Sequence, residues 1–164
     1  MNIHPIIVHF PIAFLTSWAL VELVIPKKRF PTIDWFSIQG TLLSVGFIGS
    51  LVALLTGNIA RELIGGSPLI KTHATVATFT VWLFGIFFLE WTLTIFVKYI
   101  PKSPLDTSIS IYLKLLRHPI IRSILVLATF IAIFLTGLLG GAIVYGTSTD
   151  PLAKIILPLF GIKL

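Results

Sequence analysis

Residues 119–146 read PIIRSILVLATFIAIFLTGLLGGAIVYG and contain one charged side chain, Arg122. A helix needs about 20 consecutive apolar residues to cross the roughly 30 Å hydrocarbon core of a bilayer, so this run is long enough to span a membrane. Three more runs qualify, at about 5–25, 34–60 and 71–99, and clusters of Pro, Gly and charged residues separate all four. The sequence therefore predicts an all-α integral membrane four-helix bundle that forms a single transmembrane domain over residues 1–164.

The composition supports this class and excludes others. Of the 164 residues, 56% are hydrophobic and 11% are charged, which leaves no room for a separate soluble catalytic domain. The net charge of +6 comes from Lys and Arg residues concentrated at helix ends and loops, so we expect a lipid bilayer and no nucleic acid as partner. The chain has no cysteine, which excludes disulfides, iron–sulfur clusters and covalently attached haem.

The positive charges also predict an orientation. Eight Lys and Arg residues flank the first and third connections and four lie on the other side, which predicts cytoplasmic loops there and both termini outside the cytoplasm. The first apolar run follows no positively charged segment, so we expect a retained span rather than a signal peptide. Residues 105–118 and 150–164 are interpreted as interfacial segments in the headgroup region.

Histidines near the outer ends of the spans are the main functional candidates, because ionisable side chains are costly inside a membrane. His4 and His9 are five residues apart, so their helical faces differ by about 140° and both cannot point into the bundle. We expect His9, beside a kink at Pro11, to point inward with His73 at the same depth. The simpler interpretation of His9 alone is a hydrogen bond to a carbonyl freed by the kink or to a neighbouring Thr. His4 is expected to be solvated or supporting, and replaces His9 if the helix begins differently.

Small residues suggest an internal repeat. Thr56-Gly57 and Thr136-Gly137 each follow a histidine-bearing span, so the order histidine then Thr-Gly occurs twice. This order predicts two pseudo-repeated helical hairpins related by an axis along the membrane normal, with His9 and His73 as mates. Two interpretations of the glycines stay open, namely close helix packing and space for a flat ligand. The glycines concerned are Gly57, Gly137, Gly140 and Gly141.

Two imidazoles from different helices at one depth are what a bis-histidine haem b site requires. We therefore predict haem b with His9 and His73 as iron ligands, and with His4 and the four glycines around it. Copper or zinc is an alternative, but zinc takes four ligands or three plus water. The outer side offers few donors for that: His4, His9, His73, Glu62 and Asp150.

Two carboxylates lie toward the cytoplasmic ends of the same spans. Glu22 is expected to form a surface ion pair with the basic cluster at 27–29. Glu90 lies deeper, where a quinone or proton-transfer role is an additional interpretation.

The block His4-Pro5-Ile6-Ile7-Val8-His9-Phe10-Pro11, taken with Thr56-Gly57, His73 and Gly140-Gly141, resembles the family of bacterial and archaeal membrane proteins called domain of unknown function 2231. The resemblance spans all four predicted helices and implies a prokaryotic cell membrane. Members of that family are found joined to Rieske-type or cytochrome c modules. The resemblance thus implies membrane electron transfer, here with a separate redox partner subunit because this chain has no such module. A homo-oligomer and a quinone are the other partners that we consider.

The leading hypothesis is a b-type cytochrome that carries electrons without catalysis of its own. The alternatives are a haem-free scaffold or anchor subunit of a larger complex, and a histidine-based metal-binding membrane protein or transporter. A haem absorbance band distinguishes the first hypothesis from the others, and metal analysis distinguishes the remaining two.

Overall fold

The computed structural model describes residues 3–99, 106–146 and 151–161, and the regular structure within these ranges is helical. The described α-helices are α1 (His4–Ile7), α2 (His9–Val24), α3 (Trp35–Ile64), α4 (Pro68–Tyr99), α5 (Asp106–Arg117), α6 (Pro119–Tyr145) and α7 (Pro151–Ile156), with 3-10 turns at Lys27–Arg29 and Leu157–Phe160. Four helices among the described residues are long and apolar enough to cross a membrane: α1 and α2 as one segment, α3, α4 and α6. The predicted four-helix membrane architecture is confirmed.

The four spans pack as a bundle in which helices that follow one another in the chain are neighbours. The α1–α2 segment and α4 both pack against α3 and α6. The interior cluster comprises Leu15, Trp18, Ala19, Leu43, Phe84, Phe87, Val126 and Ile133. Large apolar side chains also cover the outside of the bundle, as at Phe79 and Trp82 on α4, because a bilayer solvates them.

The helix ends follow local chemistry and shift two predicted boundaries. Helix α3 continues to Ile64 instead of ending near 60, and it stops where Gly65 takes a positive φ of 85°. A residue with a side chain rarely adopts that conformation, so glycine marks the stop. Helix α4 begins at Pro68, three residues before the predicted start at 71. A proline suits a first helical turn, because the N–H it lacks has no partner there.

The first span is interrupted near its start, as Pro11 predicts. The helix breaks at Val8, between α1 and α2. Pro11 has no N–H to donate to the carbonyl of Ile7, so a regular ladder cannot run through this turn. The break separates the turn that carries His4 from the turn that carries His9.

Both predicted interfacial segments contain helix. Helix α5 turns Ile109, Leu113 and Leu116 toward the bundle and leaves Ile111 and Leu115 exposed. The phenol of Tyr112 donates a 2.7 Å hydrogen bond to the Ile86 carbonyl, and burial raises the pKa of Tyr112, with a further contribution from the charge of Glu90. The second segment contains α7 and a 3-10 turn whose Leu157 is fully buried against α6. Residues 105, 150 and 162–164 lie outside the described ranges.

Candidate functional site

His4 lies on the first span, and its side chain packs against α3. Its Nδ1 and the Thr56 hydroxyl share a 3.0 Å hydrogen bond. The single hydroxyl proton of Thr56 has three acceptors within reach, His4 Nδ1 and the carbonyls of Val52 and Ala53 at 3.1 Å, so the tautomer of His4 decides which atom donates. In the neutral tautomer whose Nδ1 donates, the lone pair lies on Nε2, the nitrogen that binds a metal.

His73 lies on α4, and its side chain packs against α6. Its Nδ1 is buried and has no hydrogen-bond partner among the described residues, although the backbone of Thr136 lies close by. His4 and His73 are near enough for a charge on one imidazole to affect the other. A buried polar atom without a partner is costly, and His73 is one of three side chains with such an atom in the described part of the chain.

Each of these two rings lies against a glycine. A Cβ placed on Gly57 would lie 3.0 Å from His4 Cε1, and a Cβ placed on Gly140 would lie 3.3 Å from His73 Cε1. Gly57 and Gly140 therefore make room for imidazole rings. This ring-on-glycine contact occurs once in each predicted hairpin, but not at the positions that the repeat pairs. Gly137 rather than Gly140 corresponds to Gly57, and His9 rather than His4 was the expected mate of His73. The polar contacts differ, because Thr56 bonds to His4 whereas the Thr136 hydroxyl lies 2.9 Å from that of Thr80.

His9 does not point inward as expected. Its side chain is exposed, and its Nδ1 donates a 2.6 Å hydrogen bond to the carbonyl of Pro5, one turn earlier. The carbonyl that Pro11 leaves without a donor is that of Ile7, so the bond to Pro5 is a contact within one turn and not the predicted bond to a freed carbonyl. Since α1 begins at His4, the 140° offset turns His4 toward the bundle and His9 outward. The structure therefore reverses the expected order of the two residues, and His4 is the geometric mate of His73.

A cavity of about 410 Å³ lies at this end of the bundle, which we call the histidine cavity. All four spans contribute to its wall, and its volume falls within the range of about 300–1,000 Å³ that is usual for ligand pockets. His4, His73 and, from the rim, His9 line it, together with the four candidate glycines and the cation Arg61. Glu62 is exposed, and Asp150 lies outside the described residues.

The remaining two glycines face open space. No atom lies within 4 Å of a Cβ placed on Gly137 or on Gly141, and both positions line the histidine cavity. The two interpretations of the small residues thus apply to different members of the set. Gly57 and Gly140 allow close packing, whereas Gly137 and Gly141 leave room for a ligand.

Alanine substitutions on α6 are expected to separate these two glycine types. Gly141→Ala should raise stability by up to about 1 kcal/mol, because alanine favours a helix over glycine by that amount and the new methyl group meets nothing. Gly140→Ala should lose most of this gain, since the His73 ring must move. Thermal unfolding of both variants in detergent measures the difference. Equal midpoints would contradict the assigned packing of His73 on Gly140.

The opposite end of the bundle holds a buried charge cluster that sequence reasoning missed. Arg122 on α6 donates to Glu22 at 2.6 Å and to Glu90 at 2.8 Å. The Glu22 side chain is only 6% exposed. The expected ion pair with the basic cluster exists, at 3.0 Å from Lys27, but it is buried rather than at the surface. In the sequence, Arg122 was counted only among the positive charges that predict orientation. Its depth matches that of Glu22 and Glu90, and this match could have predicted the ion pairs.

Two features now define a class of protein: four membrane-spanning helices, and two half-buried imidazoles on glycines in one cavity. This is a multi-pass integral membrane protein with a paired-histidine cavity at one end and a buried ion-pair cluster at the other. The chain belongs to the family described as predicted membrane protein DUF2231, whose family model matches residues 1–150. No curated protein and no solved structure matches the chain.

Proposed function

We propose that this protein is a haem-binding membrane subunit that carries electrons. The observation that carries the proposal is the pair His4 and His73, from two different spans, on one cavity. His73 brings a buried Nδ1 without a partner among the described residues. His4 brings an Nδ1 hydrogen bond of the kind that orients metal-binding histidines.

The residues present fit a haem better than a bare metal ion. The porphyrin supplies four nitrogen ligands, so the protein needs to supply only two. The described residues contain no group of three or more His, Cys, Asp or Glu side chains placed to hold a metal ion, which a zinc site would need. Gly137 and Gly141 present bare backbone to the cavity, and Arg61 offers a cation for the propionate carboxylates of the haem.

In this proposal the protein binds and orients the cofactor and performs no catalysis. His4 and His73 would hold the haem, and the haem would supply one-electron transfer when bound. The apolar walls of the cavity would exclude water and influence the reduction potential. Because this end of the bundle is expected to face out of the cytoplasm, its electron partner would be a subunit or soluble protein on that side.

The test is a reduced-minus-oxidised visible spectrum of the detergent-purified protein from haem-replete cells, with a chemical haem assay. We expect a b-type spectrum from the native chain and loss of most of the bound haem in His73→Ala. His118→Ala is the matched control, because His118 precedes α6 at the opposite end of the bundle. A colourless native protein would refute the proposal and favour the haem-free scaffold or anchor. Bound zinc or copper in that colourless protein would favour the histidine-based metal binder instead.

A further inference from the structure

We infer that a second cavity, at the end of the bundle that carries the charge cluster, binds the headgroup of a lipid-soluble quinone. This charged-end cavity has a volume of about 330 Å³, again within the range of ligand pockets. It lies at the end of the bundle opposite the histidine cavity. None of the described residues lines both cavities.

The walls of the charged-end cavity are aromatic on two sides. Trp18 and Phe87 pack together with ring centroids 4.7 Å apart, and Phe36 and Trp91 form a second pair at 6.1 Å. Aromatic rings favour offset or tilted packing against another flat ring. A planar headgroup therefore matches this cavity better than a flexible chain does.

The charges of the cavity favour a neutral occupant. Its three cations, Lys27, Arg117 and Arg122, all form ion pairs with two carboxylates, Glu22 and Glu90. A phosphate would have to compete with those carboxylates for the same cations and would be repelled by them. A quinone carries no charge, and its two carbonyl oxygens need only hydrogen-bond donors.

Hydrogen-bond donors are present in the wall. Gln39 donates one amide N–H to Glu22 at 2.7 Å, and an amide nitrogen carries two such hydrogens. Trp91 Nε1 is buried and has no hydrogen-bond partner among the described residues. Its indole packs over Gly40, in space that a Cβ there would occupy. Trp91 also lines the cavity, so its N–H is the second donor that we assign to a quinone carbonyl.

One wall residue of the cavity, Phe36, is exposed on the outside of the bundle. Phe36 is 49% exposed near the first residue of α3, where the span meets the headgroup region. A hydrophobic tail could extend from here into the bilayer while the ring enters between α2, α3 and α4. Binding at this cavity is independent of the histidine cavity. Only a role for the quinone as electron partner of a haem rests on the proposed function.

Calorimetric titration of the purified full chain in detergent tests the inference, with menadione, a naphthoquinone that lacks the isoprenoid tail, as the probe. We expect saturable binding with one site per chain. Trp91→Phe removes one hydrogen-bond donor and keeps an aromatic ring. Phe36→Leu replaces one aromatic side chain of the cavity wall by an aliphatic one. Each should weaken binding by about tenfold, as expected for loss of one buried hydrogen bond or one aromatic contact.

The lipid-facing side of α4 supplies matched controls. Trp82→Phe and Phe79→Leu make the same chemical changes at exposed positions, 74% and 59% accessible, and should leave the affinity unchanged. Equal weakening by test and control variants would refute the inference, because it would indicate partition into the micelle. Displacement of menadione by glycerol phosphate would also refute it and indicate an anionic lipid site. His73→Ala should bind menadione normally, so failure of the haem proposal remains distinguishable.

Discussion

Replacement of Arg122 by Met is expected to lower the free energy of unfolding by about 3 kcal/mol, the low end of the range for breaking a buried ion pair. Arg122 is 26% exposed, whereas its partners Glu22 and Glu90 have side chains only 6% and 11% exposed. The substitution leaves two carboxylates close together without the guanidinium that neutralises both. Lys27 and Arg117 compensate in part, because each pairs with one of them. Reversible unfolding in mixed micelles with increasing denaturing detergent measures the change.

Two control variants show whether the loss comes from the uncompensated carboxylates. Arg29→Met removes a cation from the exposed turn after α2 and should change stability by less than about 0.5 kcal/mol, as is usual at surfaces. The combined variant Glu22→Gln, Arg122→Met, Glu90→Gln removes both carboxylates and the guanidinium, leaves the more exposed Lys27 and Arg117 in place, and should recover most of the loss. If Arg122→Met were as stable as Arg29→Met, the buried position of the cluster would be wrong.

The sequence predicted the spans well because the bilayer imposes a length and a polarity on each one. Runs of about 20 apolar residues have few alternatives in a chain with this composition. The boundaries shifted where a local effect decided them. Helix α3 runs four residues past its predicted end, because Gly65 rather than the loss of hydrophobicity stops the helix. The segment at 105–118, which the sequence predicts to be interfacial, contains helix α5 at Asp106–Arg117.

The histidine site was predicted only in part, because periodicity gives angles between residues and not the absolute rotation of a helix. The sequence established that His4 and His9 face about 140° apart. Which of them points inward depends on where the helix starts and on the break at Val8, and a shift of one residue changes the answer. The glycine contacts could not be predicted from the sequence either. Gly137 and Gly140 are only about one turn of α6 apart, yet Gly140 contacts the His73 ring and Gly137 faces open space.

The charge cluster was missed for a different reason. Positive charges near helix ends are counted to predict orientation, and this count treats each one as solvated. Arg122 is the fourth residue of α6, so it satisfies the count and also reaches Glu22 and Glu90 on two other spans. Matching the depth of acidic and basic residues on different spans would have revealed the pairing.

Replacement of His4 is expected to lower the haem content far more than replacement of His9 does. In His4→Ala the bound haem should fall at least tenfold, because one of two iron ligands is lost, whereas His9→Ala should keep most of it. The structural reason is that His4 is half-buried against Gly57 and bonded to Thr56, while His9 is exposed and bonded within its own turn. The haem content per chain and the b-type spectrum of each purified variant measure the difference.

A cavity-filling variant separates ligation from general damage to the site. Gly137→Leu adds a side chain where no atom lies within 4 Å of the Cβ position, so it should fill the histidine cavity without displacing His4 or His73. Haem should then be lost while the thermal midpoint in detergent is unchanged or higher. Haem loss in His9→Ala with retention in His4→Ala would contradict the assigned pair, since it would require the first helix to rotate by about 140° from the orientation described.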